Sequence, residues 1–306
     1  MGLSEKKFQR MNVPSGKRVT AGLGVHAHPA LSPKGRWMAW AAEGGGDVHI
    51  YVGDRQGRLG RQISGGHGVH ARAAWSPDGR TIAYGLRKTE QGRWQIWLGD
   101  RIDAALTRVL LSSTRFNYQF PAFSPEGGSL VFSSTQGSSD DTYNLWRVDL
   151  STGEKEQLTE AAGRNDMLPR FDPSGQRLIF SAAPAGDLAA THLYSLDLES
   201  RGEERLTGGK KAMEDAILVD SRVAICTRRG KKGPSLVALD LERGATLMLV
   251  EDARHPTARV DADGIVELAW TGSAGVPGIY RGELADFKAE RSARPVASDL
   301  EKQARS

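Results

Sequence analysis

Apolar residues along this chain come in short runs of strand length, not at helical spacing. The runs RWMAWAA, RTIAYGL, SLVFSS, RLIFSAA, RVAICT and GIVELAW are each followed by a second: VHIYVGD, WQIWLGD, YNLWRVDL, HLYSLDL, SLVALDL and GIYRGEL. Most copies add a short third run, RQIS, TRVLLS, KEQLT, ERLT or TLMLV. Such runs, bounded by Gly, Pro, Asp and Ser, predict strands joined by tight turns.

One phrase punctuates the pattern. It reads Leu31-Ser32-Pro33-Lys34-Gly35, then Trp75-Ser76-Pro77-Asp78-Gly79, Phe123-Ser124-Pro125-Glu126-Gly127 and Phe171-Asp172-Pro173-Ser174-Gly175. Degenerate copies follow at Val219-Asp220-Ser221 and Val260-Asp261-Ala262-Asp263-Gly264. The turn Ser or Asp falls at 32, 76, 124, 172, 220 and 261, spacings of 44, 48, 48, 48 and 41. With the strand that precedes each turn, every repeat holds four strands in about 45 residues, which is the signature of a propeller blade. The expected fold is all-β: a six-bladed β-propeller of four-stranded blades. Its last blade lacks a final strand, and Lys17-Arg18-Val19-Thr20 resembles the QLT and RLT strands, so an N-terminal strand is expected to close the ring. The divisions expected are an N-terminal extension 1–16, a propeller 17–286 and a charged, peripheral tail 287–306.

Composition changes this little. The chain has 306 residues, 39% hydrophobic and 25% charged, with 36 Gly. Its net charge of +4 is too dilute for a strong phosphate footprint, so nucleic acid is not an expected partner. The densest basic run, Thr227–Gly233 (TRRGKKG), has the composition of a solvated hairpin turn. The single cysteine, Cys226, sits in an apolar run and is expected to be a buried, inert thiol. No run is long enough to span a bilayer and the N-terminus has no secretory h-region, so a cytoplasmic protein without membrane contact is expected.

Chemistry in a propeller is expected where the first strand of each repeat borders the central channel. Six residues before each turn Ser or Asp stand His26, His70, Tyr118, Asp166, Glu214 and His255. Anchoring repeat five on Ser221 instead selects Asp215. Three imidazoles and a carboxylate make a reasonable ligand set for a divalent transition metal such as Zn, Mn, Fe, Ni or Cu. The expected ligands are therefore His26, His70, His255 and Glu214, with Tyr118 or Asp166 as general acid or base. Two residues further on, the series is His28, Arg72, Phe120, Leu168, Ala216 and Thr257. His28 and Arg72 are candidate substrate contacts, Arg72 through its planar fork on a carboxylate. Arg164, Arg254, Asn117 and Asn165 lie around the same mouth, where converging cations would draw in a small anionic molecule.

FSPEG, WSPDG, DLSTGEKEQLT and DLESRGEERLT resemble TolB-type propeller repeats, which also occur in prolyl oligopeptidase relatives and oligogalacturonate lyases. The likeness spans roughly residues 17 to 286. It implies the propeller and leaves function open, because propellers host scaffolds and enzymes alike. A peptidase is not expected: these residues carry no G-x-S-x-G and leave no room for a hydrolase domain. Likeness to oligogalacturonate lyases implies a divalent metal held by histidines in the channel, hence a metal-dependent lyase, isomerase or hydrolase. Likeness to TolB implies the alternative, a non-catalytic scaffold with a protein partner.

Overall fold

The computed structural model describes residues 8–13, 16–20, 26–58, 60–272, 277–285 and 287. The expected tail 288–306 and most of the expected extension 1–16 lie outside the described residues.

The described chain is all-β apart from one short 3-10 turn, Leu188–Ala190. In every repeat but the fifth, whose turn has no glycine, the turn motif links an inner strand to the next by a common device. The Gly79 N–H donates to the Ser76 carbonyl at 2.9 Å, with Gly79 at φ +72°, a conformation that a residue with a Cβ adopts only at a cost. The Ser76 hydroxyl then accepts from the Thr81 N–H at 2.9 Å. In repeat four the Asp172 carboxylate accepts from the Arg177 N–H at 3.1 Å, so Ser and Asp interchange because each supplies an acceptor oxygen.

Hydrogen bonding corrects the expected blade count. Among the described residues only four separate four-stranded blades form, not six. They are built on the inner strands Tyr118–Phe123, Arg164–Phe171, Met213–Leu218 and Ala253–Val260. The strands of repeats one and two merge into a single eight-stranded sheet. The junction is a parallel bridge between Val48 and Val69. Its cause is local: the outer strand of repeat one, Arg61–Gln62, is only two residues long and pairs with Tyr51 and Val52, leaving the Val48 end to bond the next repeat.

The six inner strands nevertheless pack side by side around one axis, the last, Ala253–Val260, against the first, His26–Leu31. The expected closing strand is present: Lys17–Arg18 pairs antiparallel with Gly278–Glu283. Thr20 seals it, its hydroxyl accepting from the Ile279 N–H at 3.0 Å, as the Thr159 and Thr207 hydroxyls accept from Leu145 and Leu193.

Apolar side chains fill the space between adjacent sheets. Phe180, Leu178 and Leu196 pack with Ala122, Val131 and Leu145 of the preceding repeat. Cys226 is fully buried in such a cluster, where burial pushes its thiol up to about 12. Phe8, Met11 and Phe287 pack with Trp270 and Tyr280, so residues read from sequence as extension and tail contribute to the core.

Candidate functional site

Each inner strand is interrupted by a β-bulge at an equivalent place. The residues His28, Arg72, Phe120, Leu168, Asp215 and His255 occupy these bulges, all with φ between 52° and 59°. A left-handed residue that is not glycine costs roughly 1 kcal/mol, and bulges re-aim a side chain. Six in register, one per repeat, form a ring on the channel. The strain is held from the neighbouring repeat. The His28 N–H donates to the Thr271 hydroxyl at 3.1 Å, the Asp215 N–H to Ser181 at 3.0 Å and the His255 N–H to Thr227 at 3.2 Å.

This ring corrects the alignment of repeats five and six. Turn-based counting places Ala216 and Thr257 level with His28 and Arg72, whereas the bulges place Asp215 and His255 there. Strand register gives the same answer for the other series: His26, His70, Tyr118 and Asp166 pair with Ala42, Leu86, Ser134 and Ala182, and their equivalents are Met213 and Ala253, paired with Arg228 and Gly272. Repeats five and six have longer distances between bulge and turn, five and six residues against four in the others, which sequence spacing alone does not reveal.

The expected metal ligands are accordingly not brought together. His70 is fully buried, with its Nδ1 2.7 Å from the Val48 carbonyl and its Nε2 3.2 Å from that of Gly65, at the junction between repeats one and two. Glu214 is forked onto Arg229 at 2.9 and 2.7 Å. His26 is half-buried, its pKa lowered by burial and then by the Arg18 charge. His255 faces the imidazole of His28, at 4.2 Å between ring centroids, and His70 faces that of His49 at 5.0 Å. Among the described residues no group of three or more His, Cys, Asp or Glu is placed to hold a metal ion.

The expected acid–base pair and several substrate contacts serve the fold. Asp166 is fully buried and takes both donors of Arg164, at 2.7 and 2.9 Å. Burial pushes its carboxyl up, and the Arg164 fork opposes that shift. Arg164 also bonds Glu203 at 2.8 Å and lies over the Tyr194 ring, so its charge is answered within its own sheet. The Tyr118 hydroxyl donates to Gln136 at 3.0 Å. Asn117 and Asn165 accept from the backbone N–H of Trp94 and Tyr143 at 3.0 and 3.1 Å, each tying its repeat to the one before. Arg254 is exposed beside His255.

The channel gathers a different set. Arg72 donates to Asp215 at 2.5 Å and lies 5.7 Å from the Phe120 ring centroid. Arg170 approaches the other Asp215 oxygen at 3.8 Å. Burial pushes the Asp215 carboxyl up, but Arg72 and Arg170 outweigh it and hold it below the usual carboxylate range. Burial lowers the His28 pKa well below its ordinary value, with the Arg72 charge and His255 adding to the shift. His255 falls to about 2, from burial first and then Arg72 and Arg254. Both imidazoles are neutral near neutral pH. The Thr271 hydroxyl, 3.4 Å from His255 Nδ1, steadies that ring. The buried His28 Nδ1 has no hydrogen-bond partner among the described residues.

Arg170 was missed from sequence. Its signal lies two residues past the bulge, where repeats one to three carry Ala30, Ala74 and Ala122 and repeat four carries an arginine.

Strands wound around one axis, with a charged ring on it, define a β-propeller with a polar channel. The chain belongs to the TolB β-propeller family: the TolB beta propeller domain matches residues 4–216. No curated protein matches it in sequence. Among solved structures it shares the fold of TolB from Acinetobacter baumannii, at 20% identity and a TM-score of 0.59 over 87% of this chain and 67% of that one. It also shares the fold of an oligogalacturonate lyase from Vibrio parahaemolyticus, at 13% identity and a TM-score of 0.57 over 90% of this chain and 96% of that one. A third structure, an oligogalacturonate lyase in complex with manganese, is similar at 14% identity and a TM-score of 0.56, over 90% and 98% of the two chains. Among the described residues no helix is long and apolar enough to cross a membrane.

Proposed function

We propose that the channel binds a small anionic molecule, one bearing a carboxylate or a group of similar charge. The observation that carries this reading is the meeting of Arg72 and Arg170 on the single carboxylate of Asp215, beside two neutral imidazoles. Two guanidinium charges against one carboxylate leave the ring net positive, and a narrow, low-dielectric channel focuses that excess on an entering anion. The planar forks of the arginines suit a carboxylate, and His28 Nδ1 is the group placed to accept a proton from the bound molecule. Eliminations and many isomerisations of such a substrate begin with that transfer, whereas in hydrolysis the same nitrogen would take its proton from the attacking water.

A divalent metal does not fit the residues present. One solved relative is in complex with manganese, yet here the adjacent imidazoles of His28 and His255 are flanked by Arg72 and Arg254, both Asp215 oxygens face arginines, and in the other adjacent pair, His49 and His70, both His70 nitrogens lie at backbone carbonyls. Fixed positive charges at that range oppose a dication. Isothermal calorimetry against acetate, a short dicarboxylate and inorganic phosphate tests the anion reading. Arg72→Gln is expected to weaken binding by roughly tenfold or more, the worth of a charge-assisted hydrogen bond. Saturable binding with equal affinity in that variant sinks the proposal.

A second reading, a scaffold for a protein partner, rests on three apolar side chains near the outer strand Arg108–Leu111. Ile102, Leu106 and Val109 are 57%, 59% and 42% exposed. Its test is co-purification of a partner that Ile102→Asp plus Leu106→Asp releases.

A further inference from the structure

A second concave site, on the flank of repeat five, is separate from the channel ring. It is a cleft of about 1030 Å³ between the segment before Met213–Leu218 and the hairpin joining Val223–Gly230 to Gly233–Asp240. Lys210, Lys211, Arg228, Arg229, Lys231 and Lys232 line it, against two acids, Glu251 and Asp252. Among the described residues Arg229 alone of the six has a carboxylate partner, Glu214. The sequence reading took this basic hairpin as a solvated turn, but folding adds Lys210 and Lys211 from a second segment and makes the surface concave. Six cations line the cleft against Glu251, Asp252 and the Glu214 paired with Arg229, which leaves it net positive, and an anionic partner relieves the repulsion among them.

Two further features narrow the partner. Met248, 47% exposed, and Pro234 give the basic wall an apolar component. Met248 and Glu251 belong to Thr246–Glu251, the last strand of its sheet. At six residues it is the longest of the outermost strands among the described residues, the others having two to four. Native sheets keep such edges short because an unpaired edge is a template for another strand. We propose that this cleft docks an acidic, extended polypeptide segment from a partner protein. The segment adds to the Thr246–Glu251 edge, seats an aliphatic side chain on Met248 and places its carboxylates among the lysines and arginines. Among the described residues no aromatic side chain lines the cleft, so it lacks the stacking platform that single-stranded nucleic acid uses, and its concavity does not suit a flat bilayer.

The experiment is fluorescence anisotropy at low salt with a labelled, leucine-bearing Glu/Asp-rich peptide and, in parallel, a single-stranded oligonucleotide. Lys231→Glu plus Lys232→Glu, both on an exposed turn, is expected to weaken peptide binding about tenfold. That sums two lost attractions and two new repulsions at surface-pair strength. Arg72→Gln is expected to leave peptide affinity unchanged, which separates this site from the channel proposal. The inference is overturned by any of three results: no saturable binding of the peptide, full affinity in the charge-reversed variant, or tighter binding of the oligonucleotide than of the peptide.

Discussion

Replacing Asp215 by Asn probes the centre of the channel. The Asp215 side chain is 3% exposed and lies between Arg72 at 2.5 Å and Arg170 at 3.8 Å. An amide of the same shape keeps the volume and leaves the Asp215 N–H bond to Ser181 in place. It removes the one negative charge between two guanidinium groups. Taking one partner from a buried ion pair costs about 3–5 kcal/mol. The arginines are 18% and 25% exposed, so channel water screens part of this and the expected loss is about 2–3 kcal/mol. At about 2–4 °C per kcal/mol, the melting temperature should fall by roughly 5–10 °C. The pH dependence has a definite sign. Asp215 has a folded pKa below its unfolded value of about 3.9, so its contribution is complete above that value and is lost as pH falls through the folded pKa. The gap between wild type and variant should be full at neutral pH and shrink below about pH 4. If the channel is an anion site, acetate stands in for the missing carboxylate. At ten times its dissociation constant it returns about 1.4 kcal/mol to the variant, and at equal ionic strength it should raise the melting temperature of the variant more than that of wild type. Thermal unfolding by circular dichroism reads all three effects. A variant that melts within about 1 °C of wild type at neutral pH refutes the charge argument.

Anion affinity measured by calorimetry should rise as pH is lowered below the ordinary histidine range, because a bound anion offsets Arg72, lifts the depressed His28 pKa and couples binding to proton uptake. Thr271→Val strands the buried His28 N–H and should cost about 1–3 kcal/mol in denaturant unfolding. Thr20→Val removes the acceptor for the Ile279 N–H at the ring closure, with a similar expected loss. Amide exchange at Ile279 should then accelerate more than at Leu193, whose Thr207 partner is untouched.

Much of the architecture was legible because repeat, turn and strand period agree. The Ser-Pro-x-Gly turns, the paired apolar runs and the closing Lys17–Thr20 segment each carry a local physical signal, and each appears where it was expected. The separation into blades was less legible. Whether two neighbouring sheets stay apart depends on one backbone bridge, Val48 to Val69, and on how short the Arg61–Gln62 strand happens to be. The candidate site was legible as a region and not as a set of residues. Two of its members, His28 and Arg72, came from repeats whose spacing is regular. Asp215 appeared only as an alternative, and Arg170 not at all, because a pairing between repeats leaves no mark on either strand alone.

The disagreement over repeats five and six is decided by an experiment on Glu214 and His255. Counting back from the turn puts both in one ligand ring. The bulge puts His255 on the channel with His28, while Glu214 points to Arg229 at the basic cleft. The difference is one backbone residue in repeat five and two in repeat six, and because neighbouring side chains on a strand face opposite ways, the slip of one changes the partners of Glu214 completely. If the bulge fixes which residues face the channel, Glu214→Ala leaves binding of the small anion unchanged. It also frees Arg229 and tightens binding of the acidic peptide at the cleft. His255→Leu keeps the ring volume, removes the imidazole beside His28 and changes anion affinity and its pH dependence without touching the peptide. Calorimetry and anisotropy on the same two variants read both sites. Loss of anion binding with Glu214→Ala as well as with His255→Leu restores the turn-based register and overturns the ring assigned from the bulges.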